Sequence, residues 1–202
     1  MKKAFFLAVI LIMTVFTTGC INNLAIEELN NKAAEYMEKG DYPNAICRLE
    51  ASIDLDDKVF QTQYNLAVAY TENEDYDKAI ETFNKALELN NKSVDTYYSL
   101  AVAYENYAKS LYKGETKQQK ENEENTNEES EDGVKLQFNE DGTYKPTENE
   151  IQLVKQYYTS AIENYTKYSQ MNISGNSFEN IEEKVNELQG ILNTLNSGND
   201  TN

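Results

Sequence analysis

The feature that most limits what this chain can fold into is a spacing, because residues of matching type return every 34 positions. Ala33, Ala67 and Ala101 form one column, and Tyr36, Tyr70 and Tyr104 form another. Tyr42 pairs with Tyr76, Ala45 with Ala79 and Leu49 with Phe83 at the same interval. A unit this short cannot bury its apolar face alone and must stack on copies of itself. Within the second unit, Leu66, Ala67 and Tyr70 recur at steps of 3 and 4, and so do Tyr76, Ala79, Ile80, Phe83, Ala86 and Leu87. Such steps define one buried face on each of two helices. Between them lies a polar turn, Glu72 to Asp75, matched by Glu38 to Asp41 in the first unit. Gly40 suits a helix end that needs positive φ, and Pro43 suits the first turn of the helix that follows.

These residues resemble the tetratricopeptide repeat family. Its pattern is a small residue, a tyrosine three later, then Tyr-x-x-Ala-x-x-x-Phe-x-x-Ala. It stands here as Ala67, Tyr70, Tyr76, Ala79, Phe83 and Ala86. A looser copy reads Ala33, Tyr36, Tyr42, Ala45, Leu49 and Ser52. The resemblance covers residues 26–104, with repeat 1 at 26–59 and repeat 2 at 60–93. It implies an all-α solenoid of about three helix-turn-helix repeats plus a C-terminal capping helix, and a role in binding other proteins.

The third unit begins with Tyr97 to Tyr104, but its apolar face runs on through Ala108 and Leu111, about two turns past its siblings. Residues 115–150 then carry 12 acids and 4 bases, a local net of −8. From Gln118 to Asp132 there is no large apolar residue, so this stretch cannot bury enough surface to order itself. Val134 to Phe138 alternates, Asp141-Gly142 signals a turn and Thr143 to Lys145 follows, which predicts a small β-hairpin. Tyr158, Ala161, Tyr165 and Tyr168 next reproduce the spacing of the missing second helix, and Ile151 and Val154 extend its face backwards. Tyr104 to Tyr158 spans 54 positions where Tyr70 to Tyr76 spans 6. The spacing therefore predicts one repeat, 94–171, split by an acidic insertion at 115–147, since long insertions at a helix–helix turn cost little loop entropy. Two repeats followed by an unrelated helix pair is the competing reading. Ile181, Val185, Leu188, Leu192 and Leu195 form a last stripe, a capping helix at 176–196 opened by Asn176 and Glu179, with 197–202 as a frayed tail.

The N-terminus reads as an address. Lys2 and Lys3 precede a run from Ala4 to Phe16 that is apolar except for Thr14, and the run ends at Thr17-Thr18-Gly19-Cys20. A positive start, a short apolar stretch and small residues before a cleavage point make a secretory signal, and the stretch is short for a membrane span. Gly19-Cys20 resembles a bacterial lipobox, although Thr17 stands where leucine is usual. Residues 1–19 are thus expected as a signal peptide, Cys20 as the lipid-attachment residue and 20–25 as a tether. A mature chain from Cys20 would hold 16 basic and 35 acidic side chains, a net of −19. That charge repels nucleic acid and anionic bilayer surfaces. The chain has no histidine, which removes His-based acid–base catalysis, Ser-His and Cys-His nucleophile pairs and His-ligated zinc.

By the family resemblance, the first helix of each repeat lines a concave groove. Its columns read Asn30, Ala34 and Met37, then Tyr64, Val68 and Thr71, then Tyr98, Val102 and Glu105. Aromatic residues on a rigid concave face anchor protein contacts, with partial burial against a neighbouring helix as the competing reading for Tyr64 and Tyr98. Some relatives clamp a partner's C-terminal carboxylate with lysines and asparagines there. The column Asn30, Tyr64, Tyr98 lacks that basic set, so the expected partner is a protein or peptide with an apolar or basic segment. Cys47 is expected as a small buried hydrophobe. Asn139, Asp141, Gly142 and Glu148 match a calcium loop only faintly, because Gln137 stands where an aspartate is needed and Pro146 interrupts. No cofactor, metal or catalytic role is expected. The alternative function is a peptide- or solute-binding lipoprotein working with a transporter, which would need an enclosed pocket.

Overall fold

A computed structural model describes residues 22–116, 138–139, 142–171 and 178–197. Seven helices appear among the described residues. They are α1 (22–38), α2 (Tyr42–Leu55), α3 (Phe60–Glu72), α4 (Tyr76–Leu89), α5 (Val94–Lys113), α6 (Glu148–Met171) and α7 (Phe178–Ser197). Each helix packs on the next in chain order from α2 through α5, then α5 on α6 and α6 on α7. The expected all-α solenoid is what the chain forms.

The repeat columns are the core. Ala33, Ala45, Leu49, Ala67, Ala79 and Phe83 have no exposed surface, and Tyr70 closes the same cluster. Alanine at the crossing points lets helix axes approach, and the larger side chains fill the space beside them. A second cluster joins α5, α6 and α7 through Ala108, Leu111, Val154, Tyr158, Ala161, Tyr165 and Leu188. Helix α5 serves both clusters, because Leu100 and Ala103 face one and Ala101 and Ala108 the other.

The turns repeat as well as the helices. Asp41 N–H bonds Tyr36 C=O (2.9 Å) and Gly40 N–H bonds Met37 C=O (3.0 Å), with Gly40 at φ 71°. Asp75 and Glu74 make the same pair of bonds to Tyr70 and Thr71, and Glu115 and Gly114 make it to Ser110 and Leu111. This double bond to the last turn caps a helix and calls for a left-handed residue, ideally glycine. Gly114 complies at φ 70°, whereas Glu74 takes φ 63° with a side chain attached. Pro43 sits in the first turn of α2, where Asp41 accepts from the Asn44 amide (3.3 Å).

Helices α5 and α6, 20 and 24 residues long, outrun α3 and α4 at 13 and 14. Their added length is joined by a ladder of tyrosine rings. Tyr76 stacks on Tyr107 at 5.5 Å, Tyr107 on Tyr157 at 4.5 Å, and Tyr157 leans on Tyr104 at 5.9 Å. Tyr107 also donates to Asp77 Oδ2 (3.0 Å), tying α5 to α4.

The described part of the expected hairpin is one antiparallel bridge, Phe138 to Tyr144, with Asn139 N–H donating to Thr143 C=O at 2.8 Å. Residues 134–137 lie outside the described residues. The return limb is pinned where it re-enters the solenoid. Tyr144 packs over Gly114 so closely that a Cβ there would fall 2.5 Å from the ring, and its hydroxyl donates to Glu150 Oε1 (2.6 Å). Glu150 Oε2 also accepts from the Thr147 amide (2.7 Å), while Thr147 Oγ1 accepts from the Glu150 amide (3.3 Å). That reciprocal pair is a capping box, and it starts α6.

Residues 22–25, within the segment expected as a tether, are helical, since neither glycine nor proline interrupts the chain between 22 and 39 and Ile26 is already buried. One expectation needs correcting. Cys47, expected inside, is exposed. The buried face of α2 is Ala45, Ile46, Leu49 and Ser52, and one step beyond Ile46 turns the side chain about 100° away from it. The signal segment, Cys20 and Asn176 lie outside the described residues.

Candidate partner-binding groove

The candidate groove is the face of α1, α3 and α5, and at each helix crossing one side chain per repeat does the same job. In repeat 1 that side chain is Asn30. Its Nδ2 lies 2.9 Å from Ile26 C=O, 3.0 Å from Ser52 Oγ and 2.9 Å from Thr62 Oγ1. In repeat 2 it is Tyr64, whose ring meets Phe60 at 6.2 Å and the edge of Phe83 at 6.0 Å, and whose hydroxyl lies 3.2 Å from Ser99 Oγ on α5. In repeat 3 it is Tyr98, which sets its ring 5.8 Å from Tyr165 and 5.2 Å from Tyr168. The polar crossing at Asn30 becomes aromatic along the solenoid.

The nine expected groove residues divide by exposure. Ala34 and Tyr98 are exposed, Tyr98 at 42%. Asn30, Met37, Tyr64, Val68 and Val102 are half-buried, the last four packed against the core clusters. Thr71 is buried and returns its hydroxyl to Ala67 C=O (2.9 Å). Glu105 is 4% exposed and does not open onto a groove at all. Its Oε2 accepts from Tyr165 Oη (2.8 Å), and its Oε1 pairs with Lys109 on its own helix and with Lys184 on α7 (3.0 Å). Lys184 is shared with Glu187 (3.0 Å). Burial raises the Glu105 carboxyl pKa, but the bonds from Lys109, Lys184 and Tyr165 outweigh it and hold the group below the ordinary range. Burial lowers the Lys184 pKa, and the two carboxylates push it above the usual lysine value. Glu105 is therefore the latch of the capping helix and is lost to any partner.

Asn30 is likewise committed to packing, with Oδ1 buried and without a hydrogen-bond partner among the described residues. The Glu105–Lys184 pair has no sequence signal, because 79 positions separate its members. The Tyr107–Tyr157 stack falls outside the repeat columns. The Thr147-x-x-Glu150 box is a legible helix-start signal that column matching passes over.

An open cleft of about 820 Å³ lies elsewhere, between Tyr112, Tyr144, Ile151 and Leu195, and shares no residue with the groove columns. Among the described residues no helix is long and apolar enough to cross a membrane.

Residues 69–106 match the family model described as TPR repeat. Several solved structures are similar in fold. The TPR domain of Arabidopsis OM64 aligns with a TM-score of 0.54 at 13% identity, over 82% of this chain and 98% of that one. The first TPR of Spaghetti (RPAP3), bound to the HSP90 peptide SRMEEVD, gives 0.53 at 15%, over 83% and 94%. The second TPR domain of human RPAP3, in complex with the HSP70 peptide SGPTIEEVD, gives 0.52 at 10%, over 82% and 98%. At such identities the likeness is one of fold, and the fold is a tetratricopeptide-repeat solenoid. No curated protein matches this sequence.

Proposed function

We propose that this chain is a non-catalytic interaction scaffold, held by a lipid on Cys20 at the extracytoplasmic face of a bacterial membrane, which binds a segment of a partner protein along the α1–α3–α5 face. The observation that carries the reading is a rigid helical face that keeps Tyr98 exposed and Tyr64, Val68 and Val102 half-exposed. Aromatic and aliphatic side chains on a fixed scaffold bind at low ordering cost. Structures of the same fold hold short peptides of other proteins. Helices α5 and α6 are read as a third repeat opened by the acidic insertion, so that Tyr98 and Val102 continue the columns begun at Tyr64 and Val68. The lipid anchor is supported by Lys2, Lys3, the apolar run and Gly19-Cys20. A scaffold so placed suits assembly of an envelope complex such as a pilus, a secretion system or outer-membrane machinery.

Photo-crosslinking on intact membranes tests the groove. A crosslinker at Val68 or Val102 should capture one and the same protein, while one at the exposed Glu88 of α4 should not. Equal capture from all three positions, or capture unaffected by Tyr98→Ala, would remove the groove from the account. For the anchor, Cys20→Ala should abolish acyl-label incorporation and release the chain from membranes. Retention in the membrane fraction would sink that part alone.

A further inference from the structure

The groove face carries a one-sided charge. Starting from Asn30, Tyr64 and Tyr98, the positions one turn before and one to two turns after share their helix face. Glu27, Glu38, Glu72 and Asp95 are exposed among those positions, and no lysine or arginine occupies any of them. At its third-repeat end the face closes on tyrosine. Tyr168 stands in the column that holds Ser52 and Ala86 in the first two repeats, so a ring projects where the siblings have a small side chain. Tyr98, Tyr165 and Tyr168 meet there at 5.2 and 5.8 Å, with the Tyr98 ring 42% exposed. The two lysines paired with Glu105 beneath this cluster, Lys109 and Lys184, have their charge matched by Glu105 and Glu187.

Such a surface discriminates by charge. A tyrosine face attracts a cation, and carboxylates a turn away strengthen the attraction, whereas an acidic segment meets repulsion from those same carboxylates. We propose that this end of the groove takes an arginine or lysine side chain from a basic, extended segment of the partner, set on the Tyr98 ring beside Tyr168 with Asp95 one turn away. The inference rests on the groove reading above and adds the chemistry of the occupant. It is opposite in sign to the acidic peptides of the two RPAP3 complexes. Arginine is favoured over lysine because its flat guanidinium stacks on a ring and sheds water more readily.

The test pans a random decapeptide library on the full chain, then resynthesises the tightest binder. Arginine- or lysine-rich sequences should be selected, and replacing the key arginine with citrulline, which keeps the shape and removes the charge, should weaken binding about 5- to 10-fold. Tyr98→Phe should bind nearly as well as the parent, and Tyr98→Leu should lose a similar factor to the citrulline peptide. Selected peptides that are acidic or neutral, yet lost on Tyr98→Leu, overturn the cation inference and leave the groove standing. Basic peptides indifferent to citrulline or to Tyr98→Leu also overturn it. Recovery of no peptide at all overturns both this inference and the groove reading.

Discussion

Raising the pH should unfold this protein cooperatively, and the tyrosines that hold its repeats together are the cause. Tyr70, Tyr107, Tyr158 and Tyr165 are between 3% and 8% exposed. Burial first, and nearby carboxylates second, raise the Tyr158 phenol from 10.0 to about 12. Tyr70 and Tyr165 are pushed higher still, by burial and then by bonds and charges from Glu50 and Glu105. Tyr107 moves the same way, through burial, Tyr157 and Asp77. Each phenol holds its proton more tightly in the folded chain, so the unfolded chain surrenders protons first as pH climbs. The stabilisation is whole below pH 10 and drains away above it. One unit beyond the ordinary value costs about 1.4 kcal/mol per group, so four groups remove roughly 5–6 kcal/mol near pH 11. That equals the whole stability of many domains, about 5–15 kcal/mol. Lys184, also raised when folded, adds to the loss. The chain has no tryptophan, so near-ultraviolet phenolate absorbance can be followed without indole background, alongside far-ultraviolet circular dichroism. A first phase of phenol ionisation should leave the helices intact, and a second should coincide with their loss at about pH 11–12. Tyr165→Phe should shift the second phase upward relative to the starting stability of that variant. A single broad titration of all phenols with helicity intact throughout would refute the reasoning.

Other perturbations follow from the turns and the latch. Glu74→Gly should raise the urea midpoint by the equivalent of about 1 kcal/mol, because Glu74 sits at φ 63° in the position that Gly40 and Gly114 fill; an unchanged or lower midpoint would show that no strain is held there. Gly114→Ala should cost about 2 kcal/mol or more through both its φ and the Tyr144 ring, and adding Tyr144→Ala should restore only the steric share. Glu105→Gln should destabilise by about 1–3 kcal/mol, seen first as faster amide hydrogen exchange in α7. In the parent, the Glu105 contribution is present above its ordinary pKa of 4.5 and fades as pH falls below it, so the variant should show a flatter acid limb.

How far the molecule was legible depends on the range of each interaction. The helix pairs could be read because their faces repeat at steps of 3 and 4 and their turns carry Gly40 and Pro43, all within a few residues. Residue type alone puts Cys47 inside, but its angle on α2 decides and leaves it exposed. The capping box at Thr147 and Glu150 was available locally and gives the start of α6 directly. Of the candidate groove, Tyr98, Val68 and Val102 keep surface, but Asn30 and Glu105 are taken by neighbours.

By itself, the sequence determined the repeating unit, the stacking of one unit on the next, and the acidity of the whole, because period and charge need no knowledge of what lies across a helix. Only the tertiary structure decided which groove-column side chains stay available. Asn30 faces Ser52 and Thr62, so it becomes an interior bond. Glu105 faces Tyr165, 60 positions on, and Lys184, 79 positions on, so it becomes a latch. Tyr98 faces Tyr165 and Tyr168 and is left with an open ring. A side chain's role here is set by its cross-helix neighbour, and that neighbour is chosen by packing, which acts at a range no local pattern reaches.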